Sequence, residues 1–236
     1  MAEATAETGA AGRRERPSPA ENPGRAGVAE REPAEGRMRR VPQQVRSRER
    51  VQRLLEAADD VLGGEGYAAL TMRRLADQAD VPVGTIYQFF PDKAAVIDAL
   101  ARRYIAEFEA MIGALVEQAE SQRWDDVVET VLGSAIAMYR SHPGYLAIWT
   151  GRHLSVELQR ADDANNAAIA AGLRRILVAQ HDLADDERLE RVCRVAVHTT
   201  DALLQLAFRL DPRGDDSILA EAYRLQRLYL EDLVRS

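Results

Sequence analysis

At 236 residues the chain is long enough for one or two domains with a sizeable core, and it has one cysteine, Cys193, which excludes an internal disulfide and is expected to be buried and inert. Its four histidines have no zinc-ligand spacing, its apolar runs fall short of the ~20 residues that span a bilayer, and its N-terminus lacks a secretory apolar region; a cytoplasmic location with no membrane partner is expected. The net charge of −7 is uneven: residues 37–103 carry 12 Lys and Arg against 9 acids, whereas residues 104–236 carry 14 against 22, so only the middle block suits a polyanion.

Residues 1–36 hold four Pro and five Gly but no aromatic residue, too little apolar surface to offset the entropy of ordering. Residues 1–44 are therefore read as a disordered tail and basic linker, with Met38 a candidate alternative start. Arg37, Arg39, Arg40, Arg46, Arg48 and Arg50 form either an arm able to enter a minor groove or a solvated linker. A first helix is predicted over residues 47–62 from Val51, Leu54, Leu55, Ala58, Val61 and Leu62, ended by Gly63, Gly64 and Gly66. Tyr67 and Leu70 are expected to pack beneath the next two helices.

Residues 71–93, TMRRLADQADVPVGTIYQFFPDK, read as a helix-turn-helix. Thr71 can cap the first helix, and Leu75, Ala76 and Ala79 share its inner face. Asp80 and Val81 make the turn, and Pro82 suits the first position of the second helix. Ile86 and Phe90 point inward, which leaves Val83, Gly84, Thr85, Tyr87 and Gln88 on an outer face able to meet base edges. Pro91 stops the helix; Asp92 caps the next, with Lys93 in its first turn as a solvent-facing partner for phosphate.

The set Leu70, Thr71, Arg73, Leu75, Ala76, Val81, Gly84, Thr85, Ile86, Tyr87, Phe89 and Lys93 resembles the DNA-binding domain of the tetracycline-repressor (TetR) family over residues 45–100. Asp80 departs from the Gly usual at that turn, at a cost of about 1 kcal/mol. The resemblance implies that Thr85 and Gln88 meet base edges, Val83 a thymine methyl, and that Gly84 permits close approach. It implies that Thr71, Arg73, Tyr87 and Lys93 hold phosphates. Family likeness further implies a repressor released by a small ligand, and a homodimer joined by a four-helix bundle that reads a pseudo-palindromic operator in double-stranded DNA.

Beyond the head, the pattern is helical throughout, giving an all-α chain whose residues 101–236 form a ligand-binding and dimerisation domain. A long helix from Asp92 carries Val96, Leu100, Tyr104, Phe108, Met111, Ile112 and Leu115, and another covers residues 125–140. Ser141 to Gly144 break the chain before a short helix over residues 145–150, closed by Gly151; a further helix covers residues 155–180. Asp185 is expected to cap a helix reaching Leu210 that bears two apolar seams, and the last helix, residues 216–234, is apolar on more than one side. Surplus apolar faces on these two helices point to a second copy of the chain.

Neither a nucleophile elbow nor a Walker loop occurs, and Cys193 and His198 fall on different helix faces, so no catalytic residue, cofactor or metal is assigned. Phe108, Met111, Tyr139, Trp149 and His153 are the candidate walls of a cavity for an unknown, largely apolar small molecule near the 142–144 break. The alternative is a helical scaffold that uses its helix-turn-helix for protein contacts; exposed Thr85, Tyr87 and Lys93 favour DNA.

Overall fold

A computed structural model describes residues 45–149 and 155–235, all within one compact unit, Glu35–Ser236. The expected disordered tail, Arg37, Arg39, Arg40, the candidate start Met38, the closing Gly151 and the cavity candidate His153 lie outside the described residues. Among the described residues there are nine α-helices and no strand: α1 (Val45–Glu65), α2 (Met72–Ala79), α3 (Val83–Tyr87), α4 (Lys93–Ser121), α5 (Val127–Ser141), α6 (Tyr145–Trp149), α7 (Val156–His181), α8 (Glu187–Leu210) and α9 (Asp216–Arg235). Arg46, Arg48 and Arg50, read as part of an arm or a linker ahead of the first helix, lie on exposed turns of α1.

Helix starts follow from short polar side chains that accept from the otherwise unpaired N–H groups of a first turn. Asp92 accepts from Ala95 N–H at 2.8 Å to begin α4, and Asp126 from Glu129 N–H at 2.9 Å to begin α5. Ser155 accepts from Leu158 N–H at 3.2 Å to begin α7. The cap of α8 is Asp186, not Asp185: Asp186 accepts from Leu189 N–H at 2.9 Å, while Asp185 pairs with Arg174 on α7. The helical phase thus starts one residue later than expected, and the first acid pairs with α7 instead.

The end of α1 also departs from expectation. Gly63 and Gly64 lie inside the helix, which runs on to Glu65 before Gly66 turns at φ 81°. Tertiary packing accounts for the first of them: a methyl on Gly63 would fall 2.4 Å from Pro143 Cβ and 2.7 Å from its carbonyl carbon. From the other side, a methyl on Gly144 would come within 2.7 Å of Asp59 Oδ1 and 2.9 Å of Leu62 Cβ. The break between α5 and α6 is therefore a close docking point for α1.

At that point sits Asp59, one of few buried acids. Its Oδ1 accepts from Tyr104 O–H and from Gly144 N–H, each at 2.7 Å, and its Oδ2 accepts from Arg103 Nη2 at 3.2 Å and lies 3.3 Å from His142 Nδ1. Two segments distant from it in sequence satisfy one carboxylate, as burial of a charge requires. A continuous apolar core runs from the head (Leu54, Leu75, Ile86, Phe90) along α4 (Leu100, Tyr104, Phe108) to Ile148. A second core fills the far end between α4, α7, α8 and α9, including Ile112, Leu173, Ile176 and Cys193. Cys193 is 1% exposed, and burial pushes its thiol up to about 11, the state of an inert core thiol.

These contacts give two neighbouring glycines opposite tolerances. Gly63→Ala should lower stability by about 1–3 kcal/mol through overpacking against Pro143. Gly64→Ala, with nothing within 4 Å of the added methyl, should be neutral or stabilising by about 0.5–1 kcal/mol through helix propensity. Thermal unfolding of the two variants beside the wild type checks the pair.

Candidate nucleic-acid interface and ligand cavity

In the head, Thr71 Oγ1 accepts from Arg74 N–H at 3.0 Å, which starts α2 and leaves the Thr71 hydroxyl proton free to donate outward. Buried Leu75 and Ala76 set α2 against the core, and Asp80 takes the left-handed conformation at φ 51° and ψ 52° with its N–H on Ala76 O. Pro82 stands just before α3, at φ −58° and ψ 137°, instead of at the first helical position, and its carbonyl accepts from Thr85 N–H at 2.8 Å. Ile86 and Phe90 are fully buried and fix the rotation of the five-residue α3. That rotation exposes Val83 and Tyr87, each 43% accessible, together with Gly84 and Gln88, and leaves Thr85 half-buried. Nothing within the protein lies within 4 Å of a methyl built on Gly84, so no internal contact demands glycine there.

The cations beside α3 differ in their engagement. Arg73 is exposed, whereas Arg74 is turned onto Glu65 at 2.7 Å and Gln78 at 2.9 Å. Lys93, expected to face solvent, is half-buried: its ammonium donates to Tyr67 O and lies 3.7 Å from the centre of the Tyr67 ring. Burial lowers its pKa, and the carbonyl and ring face supply the compensating negative potential. Two ammonium N–H bonds remain beyond the one given to Tyr67.

The body contains a cavity between α4, α5, α7, α8 and α9, with ≈ 90 Å³ open to water centres. One water needs ~10–15 Å³ on that measure, so there is room for several waters or one small organic molecule. Its wall is mostly apolar and includes Phe108, Met111 and Tyr139 of the candidate set. Trp149 is not on the wall; it stands edge-on behind Tyr145, ring centres 5.4 Å apart.

Polar groups reach the wall at Asn165, Asn166, Thr200, Asp201 and Gln226. Asp201 accepts from Tyr139 O–H and from Gln205 Nε2, both at 2.8 Å, and burial raises its pKa. Asn165 and Gln226 went unremarked in the sequence, yet each interrupts an apolar stripe at intervals of four: Asn165 before Ile169 and Leu173, Gln226 between Ala222 and Leu230. A polar side chain at such a position was the available signal.

A three-helix reading head joined by one unbroken helix to a helical body with an internal cavity defines a helix-turn-helix transcriptional regulator. Residues 54–100 match the model for bacterial regulatory proteins of the tetR family, and residues 122–234 match the tetracyclin repressor-like C-terminal domain. The chain is 35% identical to a TetR-family transcriptional regulator from Streptomyces coelicolor of known structure, covering 78% of this chain and 99% of that one with a TM-score of 0.55. It belongs to the TetR family.

Curated relatives match over shorter spans. The HTH-type transcriptional repressor KstR of Mycobacterium tuberculosis is 45% identical over 58 residues, 24% of this chain and 26% of that protein. The nucleoid occlusion factor SlmA of Actinobacillus pleuropneumoniae is 31% identical over 124 residues, 52% of this chain and 58% of that protein. No helix among the described residues is long and apolar enough to cross a membrane.

Near the cavity, burial and then the charge of Asp201 push Asp162 up to about 6. A raised carboxylate binds its proton more tightly in the folded state, so its favourable contribution is present at low pH and is lost as pH rises through about 6. Asp162→Asn should therefore raise the melting temperature more at pH 7.5 than at pH 4.5. Thermal unfolding across that range checks the sign.

Proposed function

We propose that the protein is a homodimeric repressor that reads a pseudo-palindromic operator with α3 and is released when a small, largely apolar molecule fills the cavity. The observation that carries this reading is the course of α4. It begins at Lys93 beside the exposed face of α3 and, without interruption over 29 residues, presents Phe108, Met111 and Ile112 to the cavity. A molecule wedged against those side chains displaces the same rigid element that holds the head. Release requires that the ligand prefer the non-binding conformation, since equal affinity for both states shifts nothing.

In the operator complex Thr85 and Gln88 meet base edges, Val83 packs on a thymine methyl, and Gly84 lets the backbone approach. Thr71, Arg73 and Tyr87 hold phosphates, joined by the two remaining N–H bonds of Lys93. The exposure of Val83, Gly84, Tyr87 and Gln88 speaks against a scaffold that keeps its helix-turn-helix only for protein contacts. Pairing is supported by exposed apolar side chains on the last two helices: Val195 and Leu210 on α8, and Leu225, Leu228 and Tyr229 on α9. The last three share one helical face.

Mobility shifts against the DNA flanking its own gene test the reading. Arg73→Ala should weaken all sequences alike and reduce the salt slope by about 1, whereas Gln88→Ala should relax one base position at a cost of about 1–3 kcal/mol. Gly84→Ala should leave folding intact and still impair DNA binding, because the space it fills is open only while DNA is absent. Replacing Leu228, 58% exposed, by Arg should leave the monomer folded, abolish the dimer in sedimentation, and abolish full-operator binding with it.

A further inference from the structure

Resting on that ligand-released reading, we infer that the cavity is selective for an apolar molecule with a cationic, ammonium-type end, and that it refuses anions. Among the described residues, Asp201 is the one charged group on the wall, and no Lys, Arg or His lines it. Two donors on the wall are already engaged within the protein: Tyr139 O–H donates to Asp201 at 2.8 Å, and Gln226 Nε2 donates to Thr199 Oγ1 at 3.0 Å and to Ala196 O at 3.2 Å.

The amides of Asn165 and Asn166 and the hydroxyls of Thr200 and Tyr145 can also donate, but none of them carries a positive charge, and acceptors with spare capacity stand beside them. Asn165, only 4% exposed, has its Oδ1 buried with no hydrogen-bond partner, and each carboxylate oxygen of Asp201 keeps a lone pair beyond the one bond it receives. A buried acceptor without a donor is costly, and a ligand N–H relieves that cost where a ligand carbonyl or carboxylate does not.

Aromatic faces add to the same preference. Tyr139 and Tyr145 lie 4.6 Å apart between ring centres, with Phe108 at 5.6 Å from Tyr145, so three aromatic rings, whose faces attract cations, cluster on the wall that includes Asp201. Asp162 contributes a second negative charge close enough to act on Asp201's neighbourhood, and His198, which offsets both carboxylates, is exposed and stands off the wall. A carboxylate ligand would meet like charge in a low-dielectric site with no cation on its wall; an ammonium would complete an ion pair there.

The test uses three probes with one apolar body: 4-phenylbutylamine, 4-phenylbutanol and 4-phenylbutanoate, titrated calorimetrically into the full-length chain at pH 7.5. The amine should bind at least about tenfold more tightly than the alcohol, with the carboxylate weakest. Asp201→Asn, which keeps an acceptor for Tyr139, should bring the amine down to the level of the alcohol, and Asn165→Leu should weaken the amine. If either variant fails to fold, the wild-type order of the three probes decides alone.

Carboxylate binding as tight as the amine, or no binding by any probe at millimolar concentration, overturns the inference. A parallel mobility shift separates it from the reading beneath it. An amine that binds without releasing DNA leaves the cavity chemistry standing and defeats ligand release, whereas release by the carboxylate alone does the reverse.

Discussion

A buried carboxylate tolerates no missing donor, and that constraint at Asp59 organises the molecule. Removing one hydrogen-bond partner from such a group costs about 1–3 kcal/mol, and more when the group is charged, so the donors act as a set. They come from α1's two neighbours: Arg103 and Tyr104 on α4, and the Gly144 N–H in the α5–α6 break. The angle between reading head and body is thus set by hydrogen-bond geometry on top of apolar contact, which alone is non-directional.

The same group lies at one end of a packed route to the cavity. Tyr104, bonded to Asp59, meets the Tyr145 ring at 5.5 Å; Tyr145 meets Tyr139 at 4.6 Å; and Tyr139 donates to Asp201 on the cavity wall. Two acidic groups on different helices are thereby bridged by three tyrosines. Displacement of Tyr139 by an occupant has a contiguous set of side chains through which to reach α1, alongside the rigid rod of α4. Burial raises the pKa of all three hydroxyls well above the ordinary tyrosine value, so they remain donors throughout the accessible pH range.

Local chemistry made the head legible in the sequence. Thr71, Asp80, Pro82, Ile86, Phe90 and Asp92 each have a preference that acts within a few residues, and their positions follow from it nearly unchanged. What escaped was decided at long range. Pro143, eighty residues away, leaves no room for a side chain at Gly63, Asp185 pairs with Arg174 while Asp186 takes the cap, and Lys93 turns inward onto the carbonyl and ring face of Tyr67. Phe108, Met111, Tyr139 and Trp149 are grouped by their expected nearness to the 142–144 break; the first three line the cavity and Trp149 does not, since sequence does not report which ring stands in front of another.

The fit of Gly63 and Asp59 against the α5–α6 break bears on how such regulators can be recombined. A hybrid that grafts a foreign reading head onto this body imports whatever its first helix carries at those two places. A bulkier residue in place of Gly63 collides with Pro143, and an apolar one in place of Asp59 strands Tyr104 O–H, Gly144 N–H and the Arg103 guanidinium without acceptors. Interchangeability of heads, whether in evolution or in sensor engineering, is therefore gated by two positions on α1, outside the helix-turn-helix itself.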